Sequence, residues 1–162
     1  MKLFGAYSSP YTRRVAITLR HYGIAHDIKK VTPFGDTKAL LRKINPVAKI
    51  PILELDDGEF VTDSQVILDY LDTLVPEGVR LTPSAGPERR EIQNLCGIAS
   101  AAVDKLVGVL YEFHFRPRDM VYKPWTKMCD EQTADGFQWL NAQLNNRRFF
   151  GSQMTQAEIT AA

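Results

Sequence analysis

The sequence is short of the residues on which redox and soft-metal chemistry usually rest. Its 162 residues include only two cysteines, Cys96 and Cys129, and three histidines. No Cys-x-x-Cys pair occurs, which disfavours thioredoxin-type disulfide exchange, and the spacing of the two cysteines matches no compact metal-ligand pattern. Reduced thiols and no bound metal are the expectation. An excess of charge of one sign is also lacking. Lys and Arg number 20 against 19 Asp and Glu, for a net charge of +1, so nothing marks a nucleic-acid partner or an anionic membrane surface. The N-terminal apolar run turns polar at Ser8, which is too short for a signal-peptide core. No stretch reads as long enough to span a bilayer, and a cytoplasmic protein is expected. Internal repeats and low-complexity segments are missing too.

What is present falls into two halves with different periods. Leu3 to Tyr7 reads as a strand, and Ser9-Pro10 opens a helix, serine as N-cap and proline at the first helical position. Val15, Ala16, Ile17 and Leu19 give that helix an apolar face, and Gly23 supplies its stop. Ile24 to Val31 reads as a half-buried strand, and a helix from about Thr37 to Ile44 closes at Asn45-Pro46. Ile52–Leu55 and Phe60–Thr62 flank Asp56-Asp57-Gly58-Glu59, a hairpin signal. Asp63-Ser64 then caps a helix running through Val66, Ile67, Tyr70 and Leu71. The order β-α-β-α-β-β-α calls for a crossover helix between parallel strands and a closing hairpin, hence a mixed sheet.

Residues 76–87 gather Pro76, Gly78, Pro83, Gly86 and Pro87 and read as a linker. Beyond it the period is helical. Ile92, Leu95, Cys96, Ala99, Ala102, Val103, Leu106 and Leu110 lie on one face of a helix from about Glu88 to Phe113. A second helix runs from Lys123 to about Asn145 through Met128, Phe137, Leu140 and Leu144, and Thr155-x-x-Glu158 is a capping-box signature for a third. That last helix has barely begun at Ala162, so a truncated all-helical domain over 88–162 is expected.

Three places could carry chemistry. At Ser8-Ser9-Pro10-Tyr11 the free N–H groups of a helix start and its dipole favour an anion, although plain capping explains the same residues. Lys49-Ile50-Pro51-Ile52 has a proline directly before an apolar strand, tolerated only at a strand start or an edge, which leaves the preceding main chain available to an extended ligand. At Asp63-Ser64 a hydroxyl and helix N–H groups suit a carboxylate while the Asp63 carboxylate suits an ammonium. Together they suit the charged end of an α-amino acid, though a bare cap is the simpler reading.

These motifs, in this order, resemble the glutathione transferase superfamily. The likeness rests on Ser9-Pro10-Tyr11-Thr12-Arg13-Arg14-Val15, on Asn45-Pro46-Val47-Ala48-Lys49-Ile50-Pro51-Ile52, and on Asp63-Ser64 followed by Ile67 and Tyr70-Leu71. Bacterial and plant members with a serine before proline are the nearest in pattern. The resemblance implies a thioredoxin-like domain over 1–75, a linker over 76–87 and an all-helical domain over 88–162. It implies a cis Ile50–Pro51 peptide, glutathione as co-substrate and a homodimer. It also implies that glutathione attacks a small hydrophobic electrophile, as in detoxification, with a non-catalytic interaction or regulatory module as the alternative.

By the same resemblance, the Ile50 main chain beside Pro51 pairs with the cysteinyl residue of glutathione, Asp63 and Ser64 hold its γ-glutamyl end, and the Ser9 hydroxyl donates to the thiolate. Tyr7, at the end of the first strand, and Ser8 are rivals for that last role. Lys49 and Lys38 are candidates for the ligand by charge, with Phe34 and Thr37 near Lys38, while Arg13 reads as structural or interfacial. Tyr111, Phe113, His114, Phe115 and Trp125 form an aromatic-rich stretch. Of these, Tyr111, Phe115 and Trp125 are candidate walls of an electrophile pocket, with core packing as the competing role.

Overall fold

The computed structural model describes all 162 residues, which divide into two compact units, Met1–Ser84 and Ala85–Ala162.

The first unit is a four-stranded mixed sheet with helices. Strands β1 (Lys2–Gly5), β2 (Asp27–Lys30), β3 (Ile52–Glu54) and β4 (Phe60–Thr62) lie in the order β2-β1-β3-β4. β1 and β2 are parallel and are joined through helix α1 (Pro10–His21), as a parallel pair requires. β3 runs antiparallel to both β1 and β4. Helix α2 (Lys38–Ile44) follows a short 3₁₀ turn at Gly35–Thr37, and helix α3 (Ser64–Thr73) follows β4. Gly58 takes a φ of 89° in the turn between β3 and β4, which a β-branched residue would resist.

One face of this sheet is sealed by Leu3, Val15, Ala16, Leu19, Leu53, Ile67, Leu68 and Leu71, drawn from β1, β3, α1 and α3. The other face packs Phe4, Val31, Leu41, Ala48 and Ile52. Neighbours in sequence such as Leu3 and Phe4 therefore serve opposite cores, as the two-residue strand period demands. Ile17, assigned by sequence to the buried face of α1, is 38 % exposed. The helical row that is buried runs through Thr12, Val15, Ala16 and Leu19 with Arg14 and Thr18 beside it, and Ile17 falls outside it.

α1 and α3 are also tied to the segment after them by a polar cluster. The Tyr22 hydroxyl donates to the carboxylate of Asp72 and accepts from the Leu81 N–H at 2.6 Å. Asp72 is nearly inaccessible. Burial raises its pKa above the usual carboxylate value, against hydrogen bonds from Tyr22 and Thr82 that favour the anion. Burial raises the Tyr22 pKa as well, and the bond to Asp72 adds to that.

The second unit is all helical. Helix α4 (Gly86–Phe115) packs against α5 (Lys123–Leu144) and α6 (Gln156–Ala161). Its core joins Ile92, Leu95, Cys96 and Ala99 of α4 to Leu140, Phe150 and Ala157. Leu106, Leu110, Met128 and Phe137, expected to be buried, are all exposed. The inward row of α4 passes instead through Ala102 to Val109, because a straight helix of 3.6 residues per turn rotates its apolar face away from a fixed neighbour along so long an element. Thr155 and Glu158 form a complete capping box at the start of α6. The second carboxylate oxygen of Glu158 also takes the Phe150 N–H at 2.7 Å.

Contrary to the expectation from sequence, α4 is long and apolar enough to cross a bilayer by length and composition alone. Its apolar residues are diluted by small ones, Gly97, Ala99, Ala101 and Ala102. These lower any visible hydrophobic run but carry few charges.

Candidate functional site

The register of the sheet gathers the three candidate segments. Phe4 pairs with Ile52, and Ile52 pairs with Thr62. The Ala6–Ser9 corner leaves the sheet one residue beyond Phe4–Gly5, Ile50-Pro51 enters immediately before Ile52, and Asp63-Ser64 departs immediately after Thr62. Segments separated in sequence thus emerge at the same end of neighbouring strands.

At the first segment, Ser9 is the N-cap of α1 with extended dihedrals of φ −80° and ψ 121°. Its Oγ accepts a long bond of 3.3 Å from the Thr12 N–H, and its carbonyl accepts from Arg13 N–H at 2.9 Å. A serine hydroxyl that accepts from the helix retains its own proton to give. Pro10 has no N–H, so the anion-favouring positive end of α1 is expressed through the N–H groups that follow it. Ser8 is exposed. Tyr7 is not the last residue of the strand, as expected from sequence, and does not face into the sheet. β1 stops at Gly5, and Tyr7 lies in the turn beyond it, 48 % exposed.

At the second segment the Ile50–Pro51 peptide is cis, as the resemblance implied. The loop before it is organised by the buried Asn45, whose side-chain amide donates to the Lys49 carbonyl at 3.2 Å and whose side-chain oxygen accepts from the Val47 N–H at 3.1 Å. Ala48 takes a φ of 53° within that loop. Pro51 is buried, Ile50 is half-buried and Lys49 is exposed. Lys38 is the first residue of α2 and is exposed.

At the third segment Asp63 caps α3, accepting from the Gln65 N–H at 2.8 Å, and holds a φ of 70°. That left-handed geometry is uncommon outside glycine and costs about 1 kcal/mol or more. Asp63 is exposed while Ser64 is only 3 % accessible. The Ser64 Oγ accepts two hydrogen bonds from one guanidinium, Arg14 Nε at 3.2 Å and Nη2 at 2.6 Å. Arg14 is itself buried at 6 %. It is Arg14, not the neighbouring Arg13, that makes this contact. The available signal was the placement of Arg14 four residues before Thr18 and directly beside the Val15–Leu19 row, where a charge that points inward needs a partner.

In the helical unit, Tyr111, Phe115 and Trp125 line one cavity of about 530 Å³ together with Gly108, Glu112 and Arg116. The Tyr111 and Phe115 rings meet edge-on with centroids 5.7 Å apart, and Arg116 Nε pairs with Glu112 at 2.5 Å. Tyr111 and Phe115 are substantially exposed, so core packing does not account for them. Phe113 and His114 are not among the cavity's walls.

Residues 3–79 match the family described as glutathione S-transferase, N-terminal domain. Among curated relatives, the uncharacterized GST-like protein YibF of Escherichia coli K12 is 28% identical over 104 residues, covering 64% of this chain and 50% of its own. The probable glutathione S-transferase GSTU6 of rice is 39% identical over 88 residues, covering 54% of this chain and 36% of its own. The chain thus spans half or less of the length of these relatives. Among solved structures, a glutathione transferase family member from Pseudomonas fluorescens Pf-5 with bound glutathione superposes with a TM-score of 0.86 at 29% identity. The match covers 99% of this chain and 78% of that one. A glutathione S-transferase from Methylobacillus flagellatus KT with bound glutathione gives a TM-score of 0.90 at 27% identity over 98% of this chain and 78% of that one.

Proposed function

The chain belongs to the glutathione transferase superfamily, and from that membership we propose that it binds glutathione at the sheet end below β1, β3 and β4 and activates its thiol. The observation that carries this reading is the register Phe4–Ile52–Thr62, which brings a hydroxyl at a helix start, a cis-proline turn and a carboxylate–hydroxyl pair to one sheet end. The glutathione bound in the similar Pseudomonas and Methylobacillus proteins supports the choice of ligand.

In this reading the extended peptide runs along Ile50, its γ-glutamyl end meets Asp63 and Ser64, and its sulfur meets Ser9. Lys49 and Lys38 are the exposed cations available to the ligand's carboxylates. A thiol of ordinary pKa, near 8.5, is only a few per cent ionised at pH 7, and the thiolate is the nucleophile. Each unit by which the pKa falls needs about 1.4 kcal/mol of preference for the anion. The Ser9 O–H and the positive end of α1 act together on that anion, and serine serves as donor rather than base. The thiolate then attacks a hydrophobic electrophile by substitution or conjugate addition. Within the helical unit, the aromatic cavity of Tyr111, Phe115 and Trp125 is proposed as a surface for hydrophobic molecules, and a homodimer is the proposed assembly.

The test is titration of protein-bound glutathione by thiolate ultraviolet absorbance. The expected result is an apparent pKa one to two units below that of free glutathione, as a hydrogen bond and a helix end of about 1.4 kcal/mol each would give. A bound pKa equal to the free value overturns thiol activation. Failure to bind at all overturns the glutathione reading and favours an interaction module.

A further inference from the structure

A serine hydroxyl has two acceptor lone pairs and one proton. At Ser64 the two guanidinium N–H groups of Arg14 are directed at the same Oγ, at 3.2 and 2.6 Å, so its acceptor capacity is spent. The capacity that remains is donation. Both residues are more than nine-tenths buried, so water competes weakly for either and the guanidinium fork fixes the hydroxyl's position rather than merely neighbouring it. The bonds span fifty residues of sequence and join α1 to the N-terminus of α3.

We infer that Arg14 is a positioning residue that makes Ser64 an obligate hydrogen-bond donor and thereby assigns the two charges of an amino-acid end group: the carboxylate to Ser64 and the ammonium to Asp63. This deepens, and rests on, the glutathione reading above. An unheld serine can turn its oxygen to an ammonium or its proton to a carboxylate. A serine whose lone pairs are taken by Arg14 can satisfy only the carboxylate, and donation from a hydroxyl that is itself accepting from a cation is strengthened by polarisation. The fixed positive charge behind the hydroxyl acts in the same sense as the N-terminal end of α3, ten residues long. Asp63, exposed and an acceptor only when ionised, is left to the ammonium. The same pair of helices that presents Ser9 to the sulfur thus sets the polarity of the opposite end of the ligand.

The experiment measures calorimetric dissociation constants of the full chain for two peptides: glutathione, and 4-aminobutyryl-cysteinyl-glycine, which lacks only the α-carboxylate of the γ-glutamyl residue. Wild type is expected to prefer glutathione. Arg14→Gln is expected to weaken glutathione about tenfold, the range for one hydrogen bond to a charged group, and to leave the truncated peptide within about twofold. In a Ser64→Ala background, Arg14→Gln is expected to add no more than about twofold, because the effect travels through Ser64. Arg14→Lys, which keeps the charge but loses the fork, is expected to fall between wild type and Arg14→Gln. It carries the same comparison if the glutamine variant does not fold.

Equal weakening of both peptides overturns the inference, since a general structural loss would do that. So does a wild type that fails to distinguish them, or an Arg14→Gln protein that binds glutathione as well as wild type. Wild-type protein that binds neither peptide overturns the glutathione reading itself, and is seen before any variant is compared.

Discussion

Thr12 occupies the space that a side chain on Gly5 would need. A Cβ built on Gly5 would stand 2.6 Å from Thr12 Cγ2, and closer still to its Oγ1. The obstruction lies where α1 rests on β1 just before the Ser9 corner. The Thr12 hydroxyl is buried there without a hydrogen-bond partner. Gly5→Ala is expected to cost about 1–3 kcal/mol in denaturant unfolding, the range for overpacking a filled core. Thr12→Ala in the same chain is expected to recover part of it, because the two closest atoms are gone while the Cβ at 3.1 Å remains. A Gly5→Ala protein as stable as wild type would contradict this packing.

Ser9 has two separable jobs, and glycine separates them. Alanine at an N-cap costs about 1 kcal/mol, whereas glycine costs only a few tenths. Ser9→Gly is therefore expected to stay within about 0.5 kcal/mol of wild type in chemical unfolding. Bound glutathione should nevertheless titrate about one unit higher than on wild type, as loss of one charge-assisted donor requires while the helix end remains. If Ser9→Gly keeps the lowered thiol pKa, the role passes to Tyr7 or Ser8, and Tyr7→Phe and Ser8→Ala decide between them.

The buried Asp72 makes stability depend on pH in an unusual direction for a carboxylate. Its pKa is raised in the folded state above 3.8, so the folded protein holds this proton more tightly than the unfolded chain does. Its contribution to stability is full below that value and is lost as pH rises through the raised folded pKa. Asp72→Asn removes this titration. Unfolding free energies measured from pH 3 to 7 should show wild type losing ground to the variant across that window. Parallel profiles would contradict the assignment.

α4 and α5 pack close together where Gly136 faces Ala102. A Cβ on Gly136 would lie 2.9 Å from that of Ala102, and one helical turn earlier the single Thr133 Oγ1 proton is shared between the Cys129 carbonyl at 2.8 Å and the Ala102 carbonyl at 3.2 Å. Gly136→Val is expected to lower stability by about 1–3 kcal/mol. Ala102→Gly should restore part of the loss, less the propensity cost of a second glycine, about 1 kcal/mol. Thermal unfolding followed by far-ultraviolet circular dichroism measures both.

Much of this architecture was legible from local chemistry. Ser9-Pro10, Asp63-Ser64 and Thr155-x-x-Glu158 announced three helix starts because capping is a contact between near neighbours. Asp57-Gly58 announced the hairpin for the same reason. Illegible were contacts that depend on how elements rotate against one another. Arg14 reads in sequence as one of two adjacent arginines, and only the approach of α1 to α3 makes it the partner of Ser64. Leu106 and Leu110 fit the apolar face of an ideal helix, yet the buried row of α4 runs through Ala102 and Val109 and leaves them exposed. Tyr7 lies outside β1 because the pairing with β2 ends at Gly5 and Lys30 and the chain turns at Tyr7-Ser8 before α1.

The antiparallel register has a practical side. The pairing that sets Phe4, Ile52 and Thr62 at one level sets Lys2, Glu54 and Phe60 at the other. The Asp56–Glu59 turn and the N-terminal amine, which bonds Asp56 at 2.5 Å, therefore leave from the sheet's far rim. A fluorophore, an affinity tag or a surface tether attached at Gly58 or ahead of Met1 exits away from Ser9, Ile50 and Ser64. Immobilised protein should therefore present that ligand-facing rim outward, which lets binding be followed on a sensor chip without masking the groups under study.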